Sequence, residues 1–481
     1  MTLQMRDPQP ATATPSLLER LGESLDAAGV VYCQWKGHWK RTRWESGAGD
    51  VDLLVDPVWA ERLQTVLARL GFKQAVPPPE AEFPGTASWI GYDAPKGRLV
   101  HVHVHRRLVV GGYWTTVYRL AMERAVLETA VPRQPFPVPT PELEFIIFVL
   151  RTVQRYSPRD LLARRHPKWL AHVEPEFTYL LRQVDRELLV ARLADLMPTV
   201  DVAFFDACTR SLHPGTSRWA RLWLRRGLER RLQAHASRPP FGLLVRRIGR
   251  GLGLLPRRRG LNPSSGGRVV ALLGGDGAGK STCNAELSRW LGVPFEVTTA
   301  HLGRPPRSLT TLFIGGLRKA RRALGGGTDG TGVLDLLRHV CTARDRYHLF
   351  ARARRFADAG GISLCERYPV AQNRKLVGPE IPQLFKRGRN GRPASSLARA
   401  LIRAEQRYYD KITRPDVIIV LMVQPEIAVR RKTDEPAAYV RTRSRIIWET
   451  DWSGTGAHLV DAGRSLPEVL VDLRALLWAE V

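Results

Sequence analysis

The stretch that leaves this chain the least freedom is "RVVALLGGDGAGKST", residues 268–282. Its first half is an apolar run of strand length. Its second half, Gly274-Gly275-Asp276-Gly277-Ala278-Gly279-Lys280-Ser281, satisfies G-x-x-x-x-G-K-[ST]. Glycines let backbone N–H groups approach phosphate oxygens closely. Lys280 can then neutralise phosphate charge, and Ser281 can offer an oxygen to Mg²⁺ at a helix start. A strand before the loop and a helix after it predict a parallel α/β sheet flanked by helices. Gly274, Asp276, Gly277, Gly279, Lys280, Ser281 and Thr282 would surround bound ATP.

Downstream, "RDRYHLFARARRFADAGGISLCERYPVAQ" reads as a helix, a Gly-Gly turn, a strand and a terminal Glu366-Arg367-Tyr368. A carboxylate at the end of a buried strand beside the phosphate loop suits Mg²⁺-bound water, and an adjacent Arg can fork onto an acceptor phosphate. In these motifs residues 268–481 resemble the thymidylate kinase group of nucleoside monophosphate kinases, whose strand ends in Asp-Arg-Tyr or Asp-Arg-His. The resemblance extends to "GRP" at Gly303–Pro305, to "ARDR" with Arg346, to "RPDVIIVLMVQPEIAVRRK" and to "HLVDAG".

That resemblance implies roles. Asp276 would face the acceptor, Arg367 would hold its phosphate, and Arg304 and Arg346 would contact it elsewhere. Glu366 would orient Mg²⁺ water together with Ser281, and Arg430 or Arg431 would reach the transferring phosphoryl group from a lid. Glu366 stands where the group has Asp, and the insertion "TLFIGGLRKARRALGGGTDGTG" enlarges the acceptor side. The implied activity is therefore phosphoryl transfer from ATP to a nucleotide, another phosphate ester or a sugar.

The front of the chain carries a different constellation. Residues 35–54, "WKGHWKRTRWESGAGDVDLL", place Gly37-His38 ahead of Asp50-Val51-Asp52. Two Asp residues around one apolar residue on a strand present both carboxylates to one face, where they can bind Mg²⁺ and through it a triphosphate. The spacing resembles the DNA polymerase beta-like nucleotidyltransferase superfamily, and "WKG…GDVDLLV…VHVHVH" is similar to its bacterial branch with a Lys-Gly loop. The resemblance implies an α+β nucleotidyltransferase-like domain, and nucleotidyl transfer usually adds a third carboxylate on a neighbouring strand. That neighbour is the strand holding His101, His103 and His105. Alternation puts the three imidazoles on one face, but successive same-side residues lie about 7 Å apart, too far for all three to share one ion. His103 is the expected occupant of the third-carboxylate position, with His105 aimed at a phosphate.

Between these motifs, apolar residues at helical spacing in "PELEFIIFVLRTVQRY" predict a helical extension, with Thr140 as N-cap and Pro141 in the first turn. Residues 218–259 carry thirteen Arg and one acidic residue, beside Trp219, Leu222, Trp223 and Leu224. They read either as a helix packed on the domain with a solvated Arg face or as an amphipathic surface for anionic membrane. The Gly/Ser/Pro run "GLNPSSGG" marks a linker. The expected organisation is 1–215 nucleotidyltransferase-like with helical extension, 216–266 basic segment and linker, and 267–481 P-loop domain.

The formal net charge of +28 favours anionic partners. No nucleic-acid-binding module is apparent, so nucleic acid ranks last among them. Five scattered cysteines form no C-x-x-C pair. The first twenty residues lack the apolar core of a signal peptide, and no run approaches the roughly 20 apolar residues of a membrane span. The expected place is the cytoplasm, with peripheral contact at the inner membrane surface through 218–259. Two classes of function stay open: a kinase fused to a nucleotidyltransferase-like domain, and a nucleotide-binding regulator on an anionic surface. Oligomeric assembly is compatible with either.

Overall fold

The computed structural model describes residues 15–40, 44, 46, 49–79, 82–111, 116–157, 168–237, 241–251, 260–324, 332–387 and 395–481. Residues 1–14, 238–240 and 252–259, which carry part of the leader and basic-segment expectations, lie outside the described residues. The chain divides into two compact units, Met1–Leu261 and Asn262–Val481, and the division falls inside the expected linker run.

In the first unit, helix α1 (Leu17–Ala27) starts at a capping box in which Ser16 and Glu19 satisfy each other's backbone N–H groups. Its Leu17, Leu18, Leu21 and Leu25 are buried. Five strands follow: β1 (Tyr32–Lys36), β2 (Val51–Val55), β3 (Lys73–Val76), β4 (Thr86–Asp93) and β5 (Arg98–His105), with α2 (Ala60–Arg69) between β2 and β3. They lie in the order β1-β2-β5-β4-β3, with β2 and β5 parallel and the other pairs antiparallel. The alternation of β5 decides its two faces. Val100, Val102 and Val104 join Leu21, Leu25, Leu63 and Leu67 in the core. The three histidines therefore take the other face.

A second core forms around α3 (Pro141–Val153), where Phe145 and Phe148 pack with Phe177 and Phe205. Pro141 occupies the first turn, and Thr140 takes the N-cap position without a side-chain cap bond. A small sheet of β6 (Val109–Gly111), β7 (Val117–Arg119) and β8 (Ala236–Ser237) completes this part.

The basic segment is not a separate module where it is described. Helix α4 (Arg218–Arg231) packs on α3, and β8 pairs with β7, so the first unit continues through it. The burial pattern also reverses what the residue types suggest. Arg221 and Leu228 turn inward, while Trp219 and Trp223 are 66% and 65% exposed beside exposed Arg226 and Arg230. Arg221 is tolerated inside because its Nε donates to the Ser211 carbonyl at 3.0 Å and its Nη2 to that of His213 at 2.7 Å.

The second unit begins with the two-residue strand β9 (Asn262–Pro263) and then builds a sheet from β10 (Arg268–Gly274), β11 (Val297–His301), β12 (Ile362–Glu366), β13 (Val417–Met422) and β14 (Ala457–Asp461). The order is β11-β12-β10-β13-β14, and every pair is parallel. Helices include α5 (Lys280–Leu291), α6 (Val333–Asp358), α7 (Ser396–Asp410) and α8 (Ala437–Trp448). Val269 to Leu273 and all of β12 are buried, as expected of parallel strands covered on both faces. From β10 the chain goes to one side for β11 and β12, then to the other for β13 and β14. The carboxyl ends beside β10 thus flank the point where the winding reverses, where open α/β sheets form their crevice. Among the described residues no helix is long and apolar enough to cross a membrane.

Replacing Arg221 by Met removes two charge-assisted donors, although the Ser211 carbonyl keeps the Tyr156 hydroxyl and the His213 carbonyl keeps the Thr216 N–H. The expected loss is about 1.5–3 kcal/mol, read as a lower urea midpoint. The same change at exposed Arg226 should stay within about 0.5 kcal/mol.

Candidate functional site

The glycine-rich loop bridges the end of β10 and the start of α5. Gly274, Gly277 and Gly279 all hold positive φ, which other residues adopt at a cost. At Gly277 the restriction is also spatial, because a Cβ there would lie 2.5 Å from the Ala428 carbonyl oxygen. Lys280 is buried, and its ammonium donates to the Gly275 carbonyl at 2.5 Å. Thr282 is exposed on the first turn of α5.

Glu366 ends β12, in register with Leu272 of β10 and His301 of β11. It is buried and accepts bonds from Ser281 Oγ at 2.8 Å and Asn284 Nδ2 at 3.0 Å. The next residue, Arg367, is the one non-glycine with positive φ (52°) among the described residues. This conformation costs about 1 kcal/mol, and it turns the Arg367 guanidinium onto the Asp276 carboxylate. Gly303 leaves room for that arm, since a Cβ there would meet Arg367 Cδ at 2.5 Å.

Asp276 is buried and takes a second cation, Arg443 Nε of α8, at 2.6 Å. Burial opposes its charge, but Arg367, Arg443 and Lys280 outweigh burial and keep its carboxyl below the ordinary range. Lys280 feels the converse. Burial first, and Arg367 next, push its ammonium down to about 8 against the pull of Asp276 and Glu366. The centre thus gathers three cations, Lys280, Arg367 and Arg443, around two carboxylates, Asp276 and Glu366. Positive-φ glycines at a helix start, a buried ammonium and a surplus of cations form a donor set that fits a polyphosphate.

Several expected contributors stand elsewhere. Arg346 is buried and spent on protein groups: its Nε donates to the Leu302 carbonyl at 2.6 Å, and its Nη1 meets the Tyr409 hydroxyl. It ties the loop after β11 to α7 instead of waiting for an acceptor. Arg431 donates to the carbonyls of Ala462, Gly463 and Arg464, at 2.5, 2.9 and 3.1 Å. Arg430 and Arg304 are exposed, and Arg304 contributes a backbone N–H to His301 Nδ1 at 3.0 Å. The arginine that does reach the centre from the C-terminal side is Arg443. Sequence reasoning passes over it because nothing local separates it from Arg441 or Arg445.

In the first unit the register sets a row of charges across three strands. Asp52 of β2 pairs with His103 of β5 on one side and Lys36 of β1 on the other. An irregularity between Gln34 and Lys36 brings Lys36, rather than Trp35, opposite Asp52. The Asp52 Oδ1 then faces Lys36 Nζ at 3.0 Å, His105 Nε2 at 2.9 Å and His103 Nδ1 at 3.6 Å. Burial opposes the Asp52 charge, but Lys36 and the two imidazoles hold the carboxyl well below its usual range. Asp50, just before β2, pairs with His101 Nδ1 at 3.0 Å.

His103 therefore stands beside Asp52 at the expected position. His105, expected to aim at a phosphate, is buried beside Asp52 and against Trp35. Gly37 holds φ 74°, and His38 turns into the helical extension, with Nδ1 3.1 Å from Glu144 Oε1. Burial pushes the Glu144 carboxyl up, and His38 pulls it back. No family model matches this chain, and no curated protein matches it.

Lys280 is charged below about pH 8 and neutral above it, and a polyphosphate favours the charged form. If the loop holds a nucleotide, as its motif implies, affinity should therefore fall as pH rises through about 8, by up to about tenfold per pH unit. Calorimetric titrations between about pH 7 and about pH 9.5 would read this. Lys280→Arg, whose charge persists, should flatten the profile, whereas an unchanged slope would assign the dependence to another group.

Proposed function

We propose that the second unit is an ATP-dependent phosphotransferase of the kind its motifs resemble, a thymidylate kinase-like P-loop kinase acting on a nucleotide or another phosphate ester. The observation that carries this reading is the convergence of Lys280, Arg367 and Arg443 on the buried Asp276, beside Ser281 and Glu366. A phosphate loop alone needs no further arginines. Cations set beside it suit a reaction in which negative charge is handed between two phosphates.

Loop N–H groups and Lys280 would hold the donor phosphates. Ser281 and Glu366 would hold Mg²⁺, which would neutralise charge on the donor phosphates. Arg367 has a carboxylate partner that an acceptor phosphate can replace, so acceptor binding exchanges one anion for another without exposing a bare guanidinium. Asp276 keeps Arg367 and Arg443 aimed while the site is empty of acceptor. The lid function first assigned to Arg430 or Arg431 falls to Arg443 in this reading.

The alternative is nucleotidyl transfer by the first unit, favoured by Asp50 and Asp52 on one strand face. Regulation at an anionic membrane is favoured by the exposed Trp219 and Trp223 on a basic helix. A panel of nucleoside monophosphates and sugar phosphates offered with ATP separates the two chemistries, since ADP reports the kinase and pyrophosphate the nucleotidyltransferase.

Lys280→Ala should abolish ADP formation, and Arg443→Ala should lower kcat/KM by about 10²-fold, as for loss of one transition-state donor. The double change Asp50→Ala, Asp52→Ala should leave ADP formation largely intact. Unchanged turnover in Lys280→Ala would sink the kinase reading.

A further inference from the structure

We propose that Asp50, His101 and His103 bind one divalent transition-metal ion of the zinc type, with Asp52 positioning His103 from behind. These three residues bring their donor atoms within 4.8 Å of one another. A tetrahedral ion with bonds of about 2.0–2.2 Å sets its donors about 3.3–3.5 Å apart, so closing the triad needs only side-chain adjustment. Asp50 Oδ1 and His101 Nδ1 are already 3.0 Å apart. The His101 and His103 rings meet edge to face with centroids 4.1 Å apart, much nearer than the strand repeat requires.

His101 turns its Nδ1 onto Asp50, and its Nε2 is buried without a hydrogen-bond partner. The ion takes the Nδ1 that already faces the carboxylate, so what marks the site is the closeness of the three donors.

The neighbouring triad of Asp52, His103 and His105 is just as compact, but it is occupied in a chemical sense. Lys36 already places a positive charge 3.0 Å from the Asp52 oxygen that faces both imidazoles. A second cation there would meet the ammonium. Asp52 instead serves as the outer carboxylate: its Oδ1 lies on the Nδ1 side of His103 and, through His105, is fixed from below. Metal-binding histidines are commonly held by such a carboxylate. The free triad is also the more accessible, with Asp50, His101 and His103 side chains 49%, 20% and 30% exposed. An ion there would keep positions open to water or substrate, the pattern of a reactive rather than a structural site.

Two imidazoles and one carboxylate select against Mg²⁺, which prefers oxygen donors, and for zinc, copper, nickel or iron. This separates the proposal from a Mg²⁺ pair on Asp50 and Asp52. The test uses the full chain, stripped with a chelator and titrated calorimetrically with Zn²⁺ in excess Mg²⁺, and with Co²⁺ for its visible absorption. One equivalent of Zn²⁺ should bind, and Co²⁺ should develop ligand-field bands.

His103→Ala and Asp50→Asn should each weaken Zn²⁺ by at least about 100-fold and abolish the Co²⁺ bands. Asp52→Asn should weaken it by about 10–100-fold. His458→Ala, at a half-exposed histidine of the second unit, should change nothing. Asp50 is exposed, so its variant keeps the test valid if a histidine variant unfolds. Absence of a stoichiometric site, displacement by Mg²⁺, or wild-type affinity in the folded variants would overturn the proposal. ADP formation is measured apart from metal binding, so failure here leaves the kinase reading standing.

Discussion

The second unit is organised around one carboxylate that has almost no water. Asp276 sits inside the phosphate loop, and a buried anion without a partner would be strongly destabilising. Its partners come from separate parts of the chain, Arg367 from the end of β12 and Arg443 from α8. The loop conformation, the left-handed backbone at Arg367 and the bare Gly303 all serve that meeting. The same cations press Lys280 toward neutrality. In the proposed phosphotransferase reading, an arriving polyphosphate offsets that repulsion among the cations.

The first unit solves a related problem by register. Asp52 is buried on a sheet face, and its neighbours across β1 and β5 are Lys36 and His103. The valines of β5 fix that parity, because turning the strand over would put three imidazoles into the core in place of three apolar side chains. Hydrophobic burial on one face thereby aligns titratable groups on the other.

Local features were legible from the sequence. The strand–loop–helix at 268–291, the Ser281–Glu366 neighbourhood and the one-sidedness of the histidines all follow from short-range pattern. What escaped was long-range. Arg443 lies far along the chain among similar arginines, and only the fold brings it to Asp276. The resemblance makes Arg346 an acceptor contact, and no sequence pattern reveals that the Leu302 carbonyl and Tyr409 will meet it. The basic segment packs on the domain, as one of its two readings has it, but which side chains turn inward was illegible for a different reason. Arg221 finds buried carbonyls and the tryptophans do not find a core, an outcome set by the shape of the receiving surface rather than by hydrophobicity. His38 was grouped with the carboxylates by spacing, whereas its partner Glu144 belongs to a helix.

The irregularity in β1 has an evolutionary corollary. Regular pairing would continue from Cys33–Leu54 and Gln34–Leu53 to set Trp35 against Asp52; the one-residue shift substitutes Lys36. Straightening the strand with every residue kept would exchange an ammonium for an indole beside a buried acid, whereas losing Gln34 or Trp35 would straighten it and still leave Lys36 opposite Asp52. The charge state of this face is set by register at one point as much as by residue identity. Such a sheet tolerates the deletion of one residue there better than a change that removes the irregularity alone.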